Sequence, residues 1–507
     1  MHDVVIVGGG HNGLVAATLL ARAGRSVLVL ERGPRLGGAA VSARPWAGVD
    51  ARLSRYSYLV SLFPRALARE LGLDLAVAPR RIASYSPAGG SGPGLLIDDA
   101  DPVRTREALG GDAEAWTAFY AGLARVARAI FPTLTEPLRT EAELRARVGD
   151  DALWEALVHR PLAELVEETF ASDLVRGTVL TDALIGTFAS AGEPSLRQNR
   201  CFLYHVIGNG TGAWDVPVGG MGAVTDALAA AARRAGAELR TGVEVTAIAA
   251  DGIRGEVRDS GGETHAARAV LANVAPAVLD ALRGIEAKAP PDPGAQLKVN
   301  LLLSRLPRFR DPAVFPDEGF AGTLHVNESA TQLEAAHAAA VAGTLPDPLP
   351  VELYCHSLAD PSVLGPGLRS AGAHTLTLFS LQTSADLFRA DPEGSRREAT
   401  EAALRSLDSV LAEPIEGCLA RTPSGEPCVE AKSPLDLEAE LGLPAGNIFH
   451  RDLAWPWAED PADADRWGVE TDTMNLLLCG AGARRGGGVS GIPGHNAARA
   501  LLERPGA

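Results

Sequence analysis

The first apolar run, Val4-Val5-Ile6-Val7, is short, β-branched and unbroken, the pattern of a parallel strand buried on both faces. Gly8-Gly9-Gly10-His11-Asn12-Gly13 follows at once. Leu14 to Ala23 then takes helical apolar spacing and stops at Gly24, a C-cap residue. Ser26 to Leu30 reads as a second strand ending in Glu31. Strand, glycine turn, helix, strand and acid together predict a dinucleotide-binding unit. In it Gly8 makes the tight turn, Gly10 admits the backbone to a pyrophosphate, and Gly13 lets helix and strand close together. The helix start at His11 and Asn12 offers free N–H groups and a positive dipole end to phosphates. Glu31, 18 residues past Gly13, can accept hydrogen bonds from a ribose, and the absence of a basic replacement favours an unphosphorylated one.

The far end of the chain repeats the theme. Leu476-Leu477-Leu478-Cys479-Gly480-Ala481-Gly482 is again an apolar run entering glycines, followed by Gly486-Gly487-Gly488-Val489-Ser490-Gly491. Bringing both ends to one ligand suits a long dinucleotide, and FAD is the usual one. Ser490 to Ala498 reads as a helix start with Pro493 in the first turn. Its N-terminus is expected at the pyrimidine edge of a flavin, with Gly488 and Val489 against the ring. In the middle, Gly219-Gly220-Met221-Gly222 opens a helix closed by Gly236, but no buried strand precedes it, so a separate NADPH domain is not expected. Glu238 to Ile248 reads as one strand, and Ala269 to Asn273 returns the chain to the main sheet. The stripe Trp116, Phe119, Tyr120, Leu123, Ala127, Ile130 predicts a helix facing a core.

Lysine is rare, and Lys298 is unusual because it sits inside a strand-like apolar run from Ala295 to Leu303. A buried lysine needs a partner or a shifted pKa, which makes Lys298 the candidate catalytic residue; the alternative is a lysine facing solvent from an outer strand face. His205 and His450 are weaker acid–base candidates, and Trp455 and Trp457 either line a pocket or pack beneath the C-terminal lobe. Five scattered cysteines without a Cys-x-x-Cys spacing exclude a dithiol redox centre, a zinc knuckle and a disulfide framework. No His–carboxylate cluster shows metal spacing, so no metal is expected. At 507 residues the chain should hold two or so domains, and 47 basic against 63 acidic residues, net −16, argue against a nucleic-acid partner. No apolar run approaches the ~20 residues that span a bilayer, and no basic leader precedes Asp3. Those two observations place the chain in the cytoplasm, leaving peripheral membrane contact open.

Arg32-Gly33-Pro34-Arg35-Leu36-Gly37-Gly38-Ala39-Ala40 sets a glycine pair six residues past the acid. From Val4 to Gly38 the chain resembles flavoproteins of the glutathione-reductase-like FAD superfamily, in which that pair contacts the FAD phosphates. Ser54-Arg55-Tyr56-Ser57-Tyr58, Pro217 to Gly222 and Cys479 to Asn496 resemble the phytoene desaturase-like oxidoreductases of the flavin amine oxidase superfamily. The branch most resembled is labelled pyridine nucleotide-disulfide oxidoreductase domain-containing protein 2. The resemblance implies an α/β fold, a Rossmann-like FAD-binding domain with an inserted α+β substrate domain. The FAD-binding domain is expected at 1–75, 214–285 and 440–507, and the substrate domain at 76–213 and 286–439. It implies FAD contacts at Gly8, Gly10, His11, Asn12, Gly13, Glu31, Arg32, Gly37, Gly38, Ala39, Val245, Gly480, Gly488 and Val489, and for Lys298 a water held at flavin N5. The implied activity is hydride removal from carbon of a largely apolar small molecule, a desaturation of isoprenoid or carotenoid type, with the electron acceptor unspecified. Amine oxidation, flavin-dependent isomerisation and non-redox prenyl binding are the alternatives. One departure stands out: Ala483-Arg484-Arg485 replaces the family's Thr-His-Pro, so these arginines either steady a reduced flavin or are solvated on a loop.

Overall fold

A computed structural model describes residues 1–89 and 93–504. It is built on two seven-stranded sheets. In the first, the order is Val245–Ala250, Gly255–Asp259, Thr264–Ala272, His2–Val7, Val27–Glu31, Glu238–Thr241. His2–Val7 is parallel to both neighbours and its last four residues are buried, as a central strand requires. Leu476–Leu478 joins this sheet in parallel register with Val270–Ala272, so both ends of the chain meet there. Helix His11–Arg22 covers the sheet, and the C-terminal helix Ile492–Leu502 packs on it. The fit is close enough that a Cβ on Gly494 would lie 2.0 Å from the Asn12 carbonyl.

One expected element divides. Glu238 to Ile248 is two strands on opposite edges of the sheet, Glu238–Thr241 beside Val27–Glu31 and Val245–Ala250 beside Gly255–Asp259. The break falls at Gly242, whose φ of +72° only glycine adopts readily and whose N–H donates to the Gly33 carbonyl.

The second sheet takes strands from 84–97 and 298–432, ordered Val429–Lys432, Lys298–Leu303, His374–Ser380, Val351–Tyr354, Thr323–Val326, Ser84–Ser86, Leu95–Ile97. Strict alternation gives its central strands two unlike faces. Val299, Leu301, Leu376, Leu378, Leu353, Leu324 and Val326 form one aliphatic core. The opposite face is polar and equally buried: Lys298 pairs with Phe379, Phe379 with Glu352, and Glu352 with His325, in one transverse row. Helices cover this sector, among them Ala113–Ile130, whose Phe119, Leu123, Ala127 and Ile130 are buried as the stripe predicted, and Asp173–Leu184.

Candidate active site

A continuous cavity of about 410 Å3 runs from the first sheet to the polar face of the second. The dinucleotide fingerprint forms one end. Gly8, Gly10, His11, Asn12, Glu31, Arg32, Gly38, Ala39 and Val245 line it, together with Asn273, which ends the strand Thr264–Ala272. Gly488, Val489 and Lys298 line it further along. Gly13, Gly37 and Gly480 stand behind the wall. A Cβ on Gly13 would meet the Gly8 carbonyl at 2.5 Å, so this glycine permits the close helix–strand approach. The Gly37 N–H donates to the Gly9 carbonyl at 2.9 Å and ties the second glycine loop to the first.

The Glu31 carboxylate is held rigidly: one oxygen accepts from Gly9 N–H at 2.8 Å, the other from Gly33 N–H at 2.7 Å. Helix His11–Arg22 starts at Gly10 with no side chain capping its first turn, which leaves uncapped N–H groups at the cavity wall. His11 Nε2, Asn12 Oδ1 and His450 Nδ1 are buried and have no hydrogen-bond partner among the described residues. Such groups fit a bound polar ligand that supplies their partners. Burial pulls His11 down to about 4, with His450 adding to the shift, and burial pulls His450 to about 4 as well, so both rings stay neutral at ordinary pH. Uncapped helix, orphaned polar atoms and glycine-walled cradle all suit a long dinucleotide.

Beyond Val489 the lining becomes Tyr58, Leu59, Ile185, His205, Trp214, Gln296, Phe379, Ile448 and Phe449. Lys298 is 2% exposed, which overturns the solvent-facing alternative. Its Nζ donates to the Ser54 carbonyl at 2.9 Å and the Tyr56 carbonyl at 2.7 Å, 4.9 Å from the Phe379 ring centre. Burial drives its pKa well below the ordinary lysine value, only partly offset by Glu430. When neutral, the amine has two N–H bonds, which these carbonyls take, and a lone pair left as an acceptor. His205 and His450, ranked low on sequence grounds, both reach the cavity; the His205 ring stacks on Trp214 at 5.2 Å and its Nδ1 lies 2.9 Å from the Cys201 carbonyl. Trp214 and Phe379 gave no sequence signal as lining residues, since a lone aromatic in an apolar stretch reads as core.

Both readings of Arg484 and Arg485 are corrected. Neither lines the cavity nor lies free in solvent. Arg485 is 1% exposed and donates to the carbonyls of Thr133, Glu136 and Trp467, while Arg484 donates to those of Trp455 and Trp457 and to Glu459. They clasp loop carbonyls, of which Thr133 also accepts the Glu136 N–H at 3.1 Å. Trp455 and Trp457 are buried and stack at 4.8 Å within a hydrophobic core. Although no His–carboxylate cluster shows metal spacing along the chain, the fold gathers His325, Glu328 and Glu352, and separately Asp259, Glu263 and His265. The five cysteines are all free and buried.

The family model for flavin containing amine oxidoreductase matches residues 65–302, and that for an NAD(P)-binding Rossmann-like domain matches 6–68. A putrescine oxidase with bound putrescine shares the fold, with a TM-score of 0.60, 18% identity and 99% of each chain covered. Fold, site and family model define a FAD-dependent oxidoreductase of the flavin amine oxidase class. An uncharacterized protein of Mycobacterium tuberculosis is 51% identical over 519 residues, covering 99% of this chain and 97% of its own. Mouse pyridine nucleotide-disulfide oxidoreductase domain-containing protein 2 is 30% identical over 565 residues, covering 99% and 93%. The chain belongs to the family of pyridine nucleotide-disulfide oxidoreductase domain-containing protein 2.

Proposed function

We propose that FAD lies along the cavity, its adenosine at Glu31 and Val245, its pyrophosphate at Gly8, Gly10, His11, Asn12, Gly38 and Ala39, and its ring at Gly488, Val489 and Lys298. In this reading residues 1–75, 214–285 and 440–507 carry the cofactor, and 76–213 and 286–439 carry the substrate. The chain removes hydride from a carbon of a largely apolar substrate, a desaturation of isoprenoid or carotenoid type. One observation carries this reading: the cavity that starts at the dinucleotide fingerprint continues into a chamber walled by Leu59, Ile185, Trp214, Phe379 and Phe449. When bound, the flavin supplies the two-electron acceptor. The chain's own residues do the rest. The aromatic and aliphatic walls hold the C–H bond in place and exclude water. The Lys298 lone pair, fixed by the two backbone carbonyls, holds a water or accepts a proton from the carbon beside the one oxidised.

A second reading, oxidation of an amine, is favoured by the family model and by the placement of Lys298. Anaerobic mixing of flavin-loaded protein with polyene, terpenoid and amine substrates separates the two. Bleaching of the flavin by polyenes or terpenoids alone supports the first, and bleaching by amines alone replaces it with the second. Protein that purifies colourless and binds no added FAD refutes both.

A further inference from the structure

We infer that His325, Glu328 and Glu352 form a binding site for one divalent transition-metal ion. His325 and Glu352 face each other across paired strands Thr323–Val326 and Val351–Tyr354, and Glu328 follows in the loop after the first of them. One ligand atom from each residue lies within 4.8 Å of the other two. All three are buried, at 6%, 2% and 3% exposure for His325, Glu328 and Glu352.

The hydrogen bonds do not satisfy this cluster. His325 Nδ1 lies 2.6 Å from one Glu328 oxygen, but Glu328 Oε1 is buried with no partner among the described residues. Glu352 is bonded through Oε1 to Tyr354 Oη at 2.7 Å and to Tyr58 Oη at 3.4 Å. Helix Asp173–Leu184 seals the site: a Cβ on Gly177 would lie 1.9 Å from the Glu328 carbonyl. That helix adds Asp182, whose charge acts on His325 and Glu352, and the Arg80 guanidinium opposes it at His325. Two carboxylates this close and this dry repel each other and lose hydration. A divalent cation reverses both penalties. The imidazole supplies a nitrogen ligand, and two carboxylates match the ion's charge.

One imidazole and two carboxylates select Zn2+, Mn2+ or Fe2+ over soft ions such as Cu+. His325 lies three strands from Lys298, on the order of 14 Å at ordinary strand spacing, so the metal is separate from the reacting atoms. It would pin the second sheet to the helix that covers it.

The test is metal content. Flavin-loaded full-length protein, stripped with chelator, is exposed to Zn2+, Mn2+ or Fe2+ singly, desalted, and measured by mass spectrometry alongside thermal melting. The expected result is about one equivalent of one of these metals with a raised melting temperature, both lost in Glu328→Gln. Wild-type protein that retains none of the three overturns the site, whatever the variant does. Unchanged metal content in a folded Glu328→Gln puts the ion elsewhere, at Asp259, Glu263 and His265 for example, and also overturns it. Glu352→Gln repeats the comparison if Glu328→Gln does not fold.

Discussion

Replacing Glu31 by glutamine changes one atom of the side chain and should disable the nucleotide end of the cavity. Each Glu31 oxygen accepts a backbone N–H, from Gly9 at 2.8 Å and Gly33 at 2.7 Å. Glutamine can accept only one of these, and its amide N–H groups face the other. A hydrogen bond to a charged group contributes about 1.5–3 kcal/mol, so the loss at Gly9 or Gly33 is about that size before any ligand binds. Weaker acceptance of the ribose hydroxyls adds about 1.4 kcal/mol or more, at least tenfold in affinity. Titration of apoprotein with FAD, followed by flavin fluorescence quenching, should show Kd raised tenfold or more, and apoprotein should melt at a lower temperature. Glu31→Asp, one methylene too short to span both N–H groups, should fall between the two. A Glu31→Gln protein that binds FAD within twofold of wild type and melts identically would refute the assignment of Glu31 to the ribose.

The other predictions address separate parts of the molecule. Gly488→Leu forces φ +59° on a branched residue at the cavity wall, which costs about 1–2 kcal/mol, and its Cβ would meet Leu62 Cδ1 at 3.2 Å; soluble protein without flavin absorbance is expected, and normal turnover would make this loop only a turn. Arg485→Met strands the carbonyls of Glu136 and Trp467, and a melting temperature lowered by the equivalent of about 2–6 kcal/mol is expected; an unchanged melt would show these bonds to be dispensable. His11 and His450, both near 4 when folded against an ordinary 6.5, leave the unfolded chain binding more protons between those values. Stability should therefore be flat above pH 6.5 and fall as pH drops towards 4, by up to about 3 kcal/mol per ring, softened by any water in the cavity. The gap between denaturation curves at pH 7 and 4.5 should narrow in a His11→Gln, His450→Gln double variant, the rest coming from other buried histidines such as His356, and an unaltered pH slope there would contradict the burial argument.

The nucleotide half was legible because its rules are local. Gly8, Gly13 and Glu31 act through the strand and helix beside them, and spacing along the chain records that. The substrate side depends on partners hundreds of residues apart. Lys298 to Leu303 reads as a plain apolar strand, yet register with Phe379, Glu352 and His325 is what makes its inner face polar. Glu328 and Glu352 look like ordinary surface acids until strand pairing and helix Asp173–Leu184 enclose them. Arg485 carried the opposite error: its neighbouring glycines suggested an open loop, whereas its three acceptors lie on segments the sequence gives no means of bringing together.

The strand Leu476–Leu478 takes its place in the first sheet beside Val270–Ala272, which itself pairs with His2–Val7. A ribosome adds about 5–20 residues per second, so roughly 10–40 s separate the emergence of Val270–Ala272 from that of Leu476–Leu478. Throughout that interval the edge of Val270–Ala272, wholly aliphatic, waits for the strand Leu476–Leu478 to cover it. Closure of the nucleotide fold thus waits on this strand, and a chain that stops before Leu476 should be one that a cell treats as unfinished.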